Sequence, residues 1–128
     1  MCLSGKTDVD IDSVEAWKVF SEVHGILYSC FSARFLEPYK RNTIISHKPK
    51  SDSLGFYAFI NEESCDSFLR EQDIWATTSY KKVILPIKLY NITYTGYFQS
   101  YYSGLLSAYI SKRILIPNTV DGVNDGTV

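Results

Sequence analysis

The sequence predicts a single small α+β domain, mainly antiparallel sheet with one helix, at about residues 61–71, packed on it. Three observations indicate this class: short alternating apolar runs of strand length, turn residues between these runs, and one stretch whose apolar spacing becomes helical. A chain of 128 residues is the size of one domain. We therefore expect one core, a domain over residues 1–117 and a flexible C-terminal tail over residues 118–128.

The segment that begins at Gly55 supplies the central strand and the helix. Phe56 to Ile60 is an aromatic and aliphatic run of strand length. Asn61 follows as a helix N-cap, whose side-chain oxygen accepts a hydrogen bond from an early helix amide. Apolar residues at helical spacing then predict that one helix face packs on the sheet: Cys65, Phe68 and Leu69.

The first third of the chain predicts a hairpin. Residues 16–23 alternate apolar and polar side chains, His24-Gly25 interrupts them, and residues 26–31 resume as a second strand. Residues 13–16 fit the opening of a helical turn equally well. The polar residues 1–12 are interpreted as an arm or a short edge strand.

The second half predicts two paired strands. Residues 81–95 form the longest strand candidate, in which Pro86 should mark an edge or a bulge because it has no amide donor. A tyrosine-rich turn is expected over residues 96–104, followed by a last strand over residues 105–116. Between the hairpin and the central strand, only a short strand at residues 43–46 interrupts an irregular region.

Composition excludes several classes of protein. With 45% hydrophobic and 21% charged residues the chain is globular in character, and its apolar runs are too short for a membrane span. The three cysteines are odd in number and far apart, which indicates reduced thiols. We expect a cytoplasmic protein, or one in the host cytoplasm if it is viral, without membrane contact.

The strongest binding signal is a basic, tyrosine-rich second half. Residues 74–117 carry 5 Lys/Arg and no acid, whereas residues 1–73 carry 8 Lys/Arg and 12 Asp/Glu. Aromatic rings beside cations suit phosphates or acidic side chains, although the same rings also serve simply to cover a sheet. The candidate ligand- or partner-binding residues are Tyr94, Tyr97, Tyr101, Tyr102, Lys82, Lys112 and Arg113.

The expected partner follows from this charge pattern. The whole domain is not clearly basic, so generic nucleic-acid binding is not expected. A host protein or a nucleotide-sized anionic ligand fits better, and a homo-oligomer remains an open alternative.

Patterns for catalysis, metals and cofactors are absent from the sequence. His24 and His47 lack zinc-ligand spacing, and C-x-x-C, G-x-S-x-G, G-x-G-x-x-G and Walker patterns do not occur. We therefore predict no catalytic residue, no metal and no cofactor. One enzymatic alternative is Cys2 as an N-terminal nucleophile after loss of Met1. The Met-Cys start resembles N-terminal-nucleophile amidotransferases and abasic-site-crosslinking SOS-response peptidases.

A second enzymatic alternative comes from three segments in order: residues 24–28 with His24 and Tyr28, residues 55–57, and residues 77–79. This order resembles ADP-ribosyltransferase-like domains, which also require a glutamate on a late strand. No Glu follows Glu71, and Gln99 alone stands near that place. The resemblance therefore implies a degenerate, binding-only relative.

A wider resemblance spans most of the chain and rests on hydrophobic motifs: residues 18–20, 39–42, 55–59, 82–87 and 111–116. Their order resembles small uncharacterised phage and prophage proteins that start Met-Cys and carry a Gly-Phe-His-Ala-Phe type motif. Tyr57 stands here where those proteins have His. The resemblance implies a phage accessory protein, and our hypothesis is a non-catalytic binder that blocks a host protein, such as a defence protein, or sequesters a small anionic ligand. A virion structural component is a further alternative.

Overall fold

The computed structural model describes residues 3–29, 38–48, 55–75, 81–100 and 104–118, apart from the side chains of residues 29 and 72–75. The elements in chain order are β1 (Ser4–Val23), β2 (Ile26–Ser29), β3 (Ile44–Ser46), β4 (Phe56–Phe59), α1 (Glu62–Trp75), β5 (Lys81–Ser100) and β6 (Gly104–Leu115). The described chain is thus a single small domain of mostly antiparallel sheet with one helix. The sheet and helix are confirmed, but the fold is more sheet than the predicted α+β class implies.

Four strands pair in a closed cycle. β5 lies between β1 and β6, and β4 lies between β6 and β1, all antiparallel. The β1–β4 junction consists of one residue pair, Trp17 opposite Phe59. β2 adds to β1 beside this junction, and β3 adds to β6.

Two hydrophobic clusters lie on the two faces of this sheet. The first contains Phe20, Leu89 and Ile92, which are almost fully buried. The second contains Phe59 with Cys65 and Phe68 of α1, so it lies between the sheet and the helix. Val83, Leu85, Ile87 and Leu89 of β5 all contact the first cluster, because alternate side chains of a strand share a face.

The helix begins where its cap predicts. The Ser64 amide donates to Asn61 Oδ1 at 2.8 Å, so Asn61 is the N-cap. Cys65 and Phe68 are buried against Phe59, which confirms the predicted packing face. The helix ends at Trp75 rather than near residue 71, because neither glycine nor proline interrupts residues 72–75.

The predicted hairpin is confirmed. Val23 lies opposite Ile26, and His24 and Gly25 between them have φ angles of 52° and 79°. Two consecutive positive φ angles are the geometry of a type I′ turn, which matches the twist of paired strands.

The first strand is much longer than predicted. β1 begins at Ser4, and its residues 4–16 pair only with β5 among the described strands, so this stretch is an edge. Shifts in its register with β5, between Ser4 and Thr7 and between Asp8 and Ile11, interrupt the two-residue period. The irregular pairing obscures the pattern. The edge-strand alternative is confirmed from Ser4 onward, although the strand is long rather than short, and the arm and the helical turn at residues 13–16 are wrong.

The turn predicted at residues 96–104 is wrong over residues 96–100, because β5 continues to Ser100. Gly96 is a close-approach glycine within the strand: a Cβ there would lie 3.0 Å from the Ser4 carbonyl oxygen and 3.2 Å from Leu3 Cβ. The last strand begins at Gly104 and pairs with β5, as predicted. Among the described strands, Pro86 pairs with Trp17 of β1 and has no partner on β6. This confirms an edge position for Pro86.

Candidate functional site

Two cations contact the ring of Tyr90 on β5. Lys88 Nζ lies 5.5 Å from the ring centroid, and the guanidinium carbon of Arg113 lies 5.5 Å from it as well. A cation over a tyrosine ring is attracted by the negative face of the ring. Lys88 precedes Tyr90 by two positions, and Arg113 lies opposite Tyr90 on β6, so the three side chains share one face.

Asn91 completes this group, and together we call Lys88, Tyr90, Asn91 and Arg113 the Tyr90 cluster. Asn91 has a φ angle of 54°, in the left-handed region that Asn tolerates better than most residues. Arg113 Nε donates a hydrogen bond to Asn91 Oδ1 at 2.7 Å. This bond holds the guanidinium against the strand on which Tyr90 lies.

A local irregularity in β5 brings Tyr90 and Asn91 to the same side. Leu89 and Ile92, which flank them, are both buried in the first hydrophobic cluster. Strict alternation would place residues 89 and 92 on opposite faces. The alternation of the strand is therefore interrupted at residues 90 and 91. Both of these side chains point away from the core, toward Arg113.

The two cations of the cluster form no ion pair with a carboxylate of the described residues. Lys88 and Arg113 are both exposed, and no ion pair joins either of them to a described Asp or Glu. Glu15 lies opposite Lys88 in register on β1 without an ion pair between them. By contrast, Lys81 pairs with Glu22 at 3.2 Å farther along the same strands. An incoming anion is the natural partner for the two cations of the cluster.

A separate groove of about 270 Å³ contains Tyr97. The Tyr97 ring packs on Gly5, where a Cβ would lie 3.3 Å from ring Cδ2. Ile60, which follows β4, is exposed and also lines the groove. The full lining is Gly5, Thr7, Ile60, Thr95, Gly96, Tyr97, Ser107, Ala108 and Tyr109. None of these residues is charged, so the groove suits an uncharged group better than an anion.

The structure does not gather the predicted tyrosines on one face. Tyr94 is half-buried and packs against the helix-side cluster, whereas Tyr97 lines the groove with 41% of its surface exposed. Three positions separate them on a strand, which places them on opposite faces. Tyr101 and Tyr102 lie outside the described residues.

The predicted cations are also dispersed. Lys82 Nζ donates to Ser21 Oγ at 2.8 Å and lies eight residues before Tyr90, or about 25 Å along an extended strand. Lys112 is exposed beside Arg113, and its carbonyl accepts from the His47 amide at 2.8 Å. Of the predicted binding residues, Arg113 is the one that the structure places in the Tyr90 cluster.

Sequence reasoning missed Lys88 and Asn91 and did not select Tyr90. The Lys88-x-Tyr90 spacing was a usable signal, since alternate residues of a strand share a face. The contact with Arg113 depends on the β5–β6 register, which a single sequence does not specify. Asn91 within an apolar strand run was the available sign of an irregularity.

The described residues of the enzymatic alternatives lie on several different elements. His24 lies exposed in the β1–β2 turn, Tyr28 is on β2, and Gln99 is exposed near the end of β5. Cys2, Cys30 and residues 77–79 lie outside the described ranges, and Cys65 is a buried cysteine outside any disulfide bond. Within the described part of the chain, no group of three or more His, Cys, Asp or Glu is placed to hold a metal ion.

Across those same ranges, no helix is long and apolar enough to cross a membrane. Comparison with protein-family models, with curated proteins and with solved structures found no match to this chain.

Proposed function

We propose that this chain is a non-catalytic binding protein that holds an anionic group of its partner at the Tyr90 cluster. The observation that carries the proposal is the pair of cations stacked on one tyrosine ring without a carboxylate from the described residues. Two cations held beside one aromatic ring attract an anion to a defined place rather than diffusely.

The composition of the cluster favours binding over chemistry. Its members carry an ammonium, a phenol, an amide and a guanidinium, which recognise charge and shape. No thiol, imidazole or carboxylate belongs to it, so the usual nucleophiles and general bases of hydrolytic enzymes are not part of this site. The anionic group belongs either to a host protein or to a nucleotide-sized ligand.

The biological setting is part of the proposal and rests on the resemblance to small phage and prophage proteins. In that setting the protein acts in the host cytoplasm, where it occupies an acidic surface of a host protein, such as a defence protein, or sequesters a small anion. A degenerate ADP-ribosyltransferase-like relative is compatible with this proposal, because it too would bind a ligand without turning it over. The virion component and the Cys2 nucleophile remain the rival proposals.

The test uses two probes for the two anion classes: adenosine 5′-monophosphate and a short glutamate peptide. Binding to the purified protein is measured by calorimetry for the parent and for a Lys88→Ala/Arg113→Ala double variant. We expect at least one probe to bind to the parent protein. Each charge-assisted contact contributes about 1.5 kcal/mol or more, so the affinity of that probe should fall roughly tenfold or more in the double variant.

A matched control removes two exposed cations elsewhere, Lys6 and Lys40, as a Lys6→Ala/Lys40→Ala double variant. This variant has the same net charge as the test variant, so it measures the general electrostatic contribution. An equal loss in both variants, or no binding of either probe to the parent, would overturn the proposal.

A further inference from the structure

The hydrogen bond from Arg113 to Asn91 determines which guanidinium donors face a ligand. Arg113 Nε is occupied by Asn91 Oδ1 at 2.7 Å. A guanidinium binds an oxyanion either along the side that contains Nε or through its two terminal nitrogens. With Nε engaged, the terminal Nη1 and Nη2 remain as the fork that a ligand can use.

Asn91 is suited to this task by its backbone. Its φ angle of 54° lies in the left-handed region, and its neighbours Leu89 and Ile92 are anchored in the core. The amide therefore stands on a rigid segment of β5 rather than on a loop. A rigid acceptor reduces the entropy that the long Arg113 side chain loses when it binds a ligand.

Lys88 adds a second positive charge beside this fork. Both cations lie 5.5 Å from the same ring centroid, and in this inference both contact one bound ligand. A phosphate monoester carries a charge of about −1.5 to −2 at pH 7 and three acceptor oxygens, whereas a carboxylate carries one charge and two oxygens. Two cations neutralise the phosphate more completely.

We infer that the Tyr90 cluster is selective for phosphate monoesters and that Asn91 is its positioning residue, an inference that rests on the proposed function. Asn91 presents the Arg113 fork to two phosphate oxygens, and Lys88 neutralises the remaining charge. An acidic peptide would engage the same fork with one charge fewer, so it binds more weakly.

The ionisation of the ligand provides a readout that a purely structural role would not change. A phosphate monoester has a second pKa of about 6, so it is a dianion above that value and a monoanion below it. Affinity for adenosine 5′-monophosphate should be full at pH 7.5 and decline as the pH falls through about 6. A glutamate peptide keeps its charge over the same range, since its side chains titrate near pH 4.3.

The deciding variant is Asn91→Gly, because glycine adopts a positive φ without strain and lacks the amide. The matched control is Asn42→Gly: Asn42 also has a positive φ, of 59°, and its Oδ1 accepts from the Asn118 amide instead. We expect Asn91→Gly to weaken binding of adenosine 5′-monophosphate about fivefold and Asn42→Gly to leave it unchanged.

A second variant, Arg113→Lys, keeps the charge and removes the fork. Lysine is a point charge without bidentate geometry, so this variant should lose most of the preference for the phosphate over the peptide. If Asn91→Gly fails to fold, Arg113→Lys still tests whether the guanidinium fork determines the phosphate preference.

The outcomes distinguish failure of the phosphate selectivity and the Asn91 role from failure of the proposed anion binding. Parent-like binding in both Asn91→Gly and Arg113→Lys, together with weakened binding in Lys88→Ala/Arg113→Ala, would overturn the positioning role and leave the proposed function standing. Equal parent affinities for the two probes, or affinity for the monophosphate that does not change between pH 7.5 and 5.5, would overturn the phosphate selectivity. Unchanged binding in the Lys88→Ala/Arg113→Ala variant would overturn both.

Discussion

Lys18 donates a hydrogen bond from its buried ammonium group to the main-chain carbonyl of Tyr57 at 2.6 Å. Lys18 lies on β1 and Tyr57 on β4, next to the Trp17–Phe59 pair that joins these two strands. The lysine is 5% exposed, and its Nζ also lies 5.9 Å from the Phe20 ring centroid. A buried cation is tolerated only when such groups replace its water, so this contact reinforces the narrowest junction of the sheet.

Replacing Lys18 with alanine should lower the free energy of unfolding by about 2 kcal/mol, because the Tyr57 carbonyl loses a buried partner and the lysine stem leaves a gap. Urea denaturation of the variant measures the loss. Lys6→Ala, at an exposed position of the same strand, is the control and should stay within about 0.5 kcal/mol of the parent. Equal stability of the two variants would contradict a role for Lys18 at the junction.

Replacing Gly55 with alanine should prevent stable folding or cost more than about 3 kcal/mol, because the added Cβ would overlap the Ser111 carbonyl oxygen and lie 3.0 Å from Ile110 Cγ2. Gly25→Ala is the matched control: Gly25 has a φ of 79° and open space around it, so only backbone strain of about 1 kcal/mol applies. Thermal denaturation compares the two. A Gly55 variant as stable as the Gly25 variant would show that β4 can move away from β6.

Replacing Asn61 with alanine should destabilise the domain by about 1 kcal/mol, since the Ser64 amide loses its acceptor. Serine at the same position retains a capping oxygen and should recover most of that stability. Chemical denaturation of both variants is the measurement. If alanine and serine behave alike, the cap does not limit the stability of α1.

Replacing Tyr90 with phenylalanine should leave anion binding nearly unchanged, because the ring that Lys88 and Arg113 contact is retained. Leucine at this position removes the ring and should weaken binding of adenosine 5′-monophosphate about threefold, the size of a cation–π contribution at an exposed site. Calorimetric titration compares them. Equal losses with phenylalanine and with leucine would assign the contribution to the phenol oxygen, which both variants lack.

Local signals explain which elements were predictable. Alternation identified residues 16–23 and 83–89, and the Asn61 cap identified the helix start, because each signal acts within a few residues. Before Ala16 a strand was only one of the alternatives, because the irregular pairing of β1 with β5 breaks the period. Gly96 was read as a turn residue, although its small size serves the contact with Leu3 and Ser4.

The candidate site depended on information that the sequence does not carry. Arg113 was chosen for its charge, but its contacts with Tyr90 and Asn91 depend on the register between β5 and β6. Tyr94 and Tyr97 were grouped by proximity in sequence, and a strand places them on opposite faces. Charge and aromatic content thus predicted a kind of ligand, and the pairing of two strands defines the place where we propose that it binds.

The pairing of β1 with β5 also constrains the order in which the chain can fold during synthesis. Ser4 lies opposite Tyr97 and Glu22 lies opposite Lys81, so the strand made first has its main partner in a segment made much later. Such non-local pairing slows folding relative to local contacts. The β5–β6 hairpin, by contrast, closes between neighbours, from Ser100 opposite Gly104 back to Lys88 opposite Leu115. We therefore expect a nascent chain to form the hairpin that bears the Tyr90 cluster first and to recruit β1 onto it afterwards.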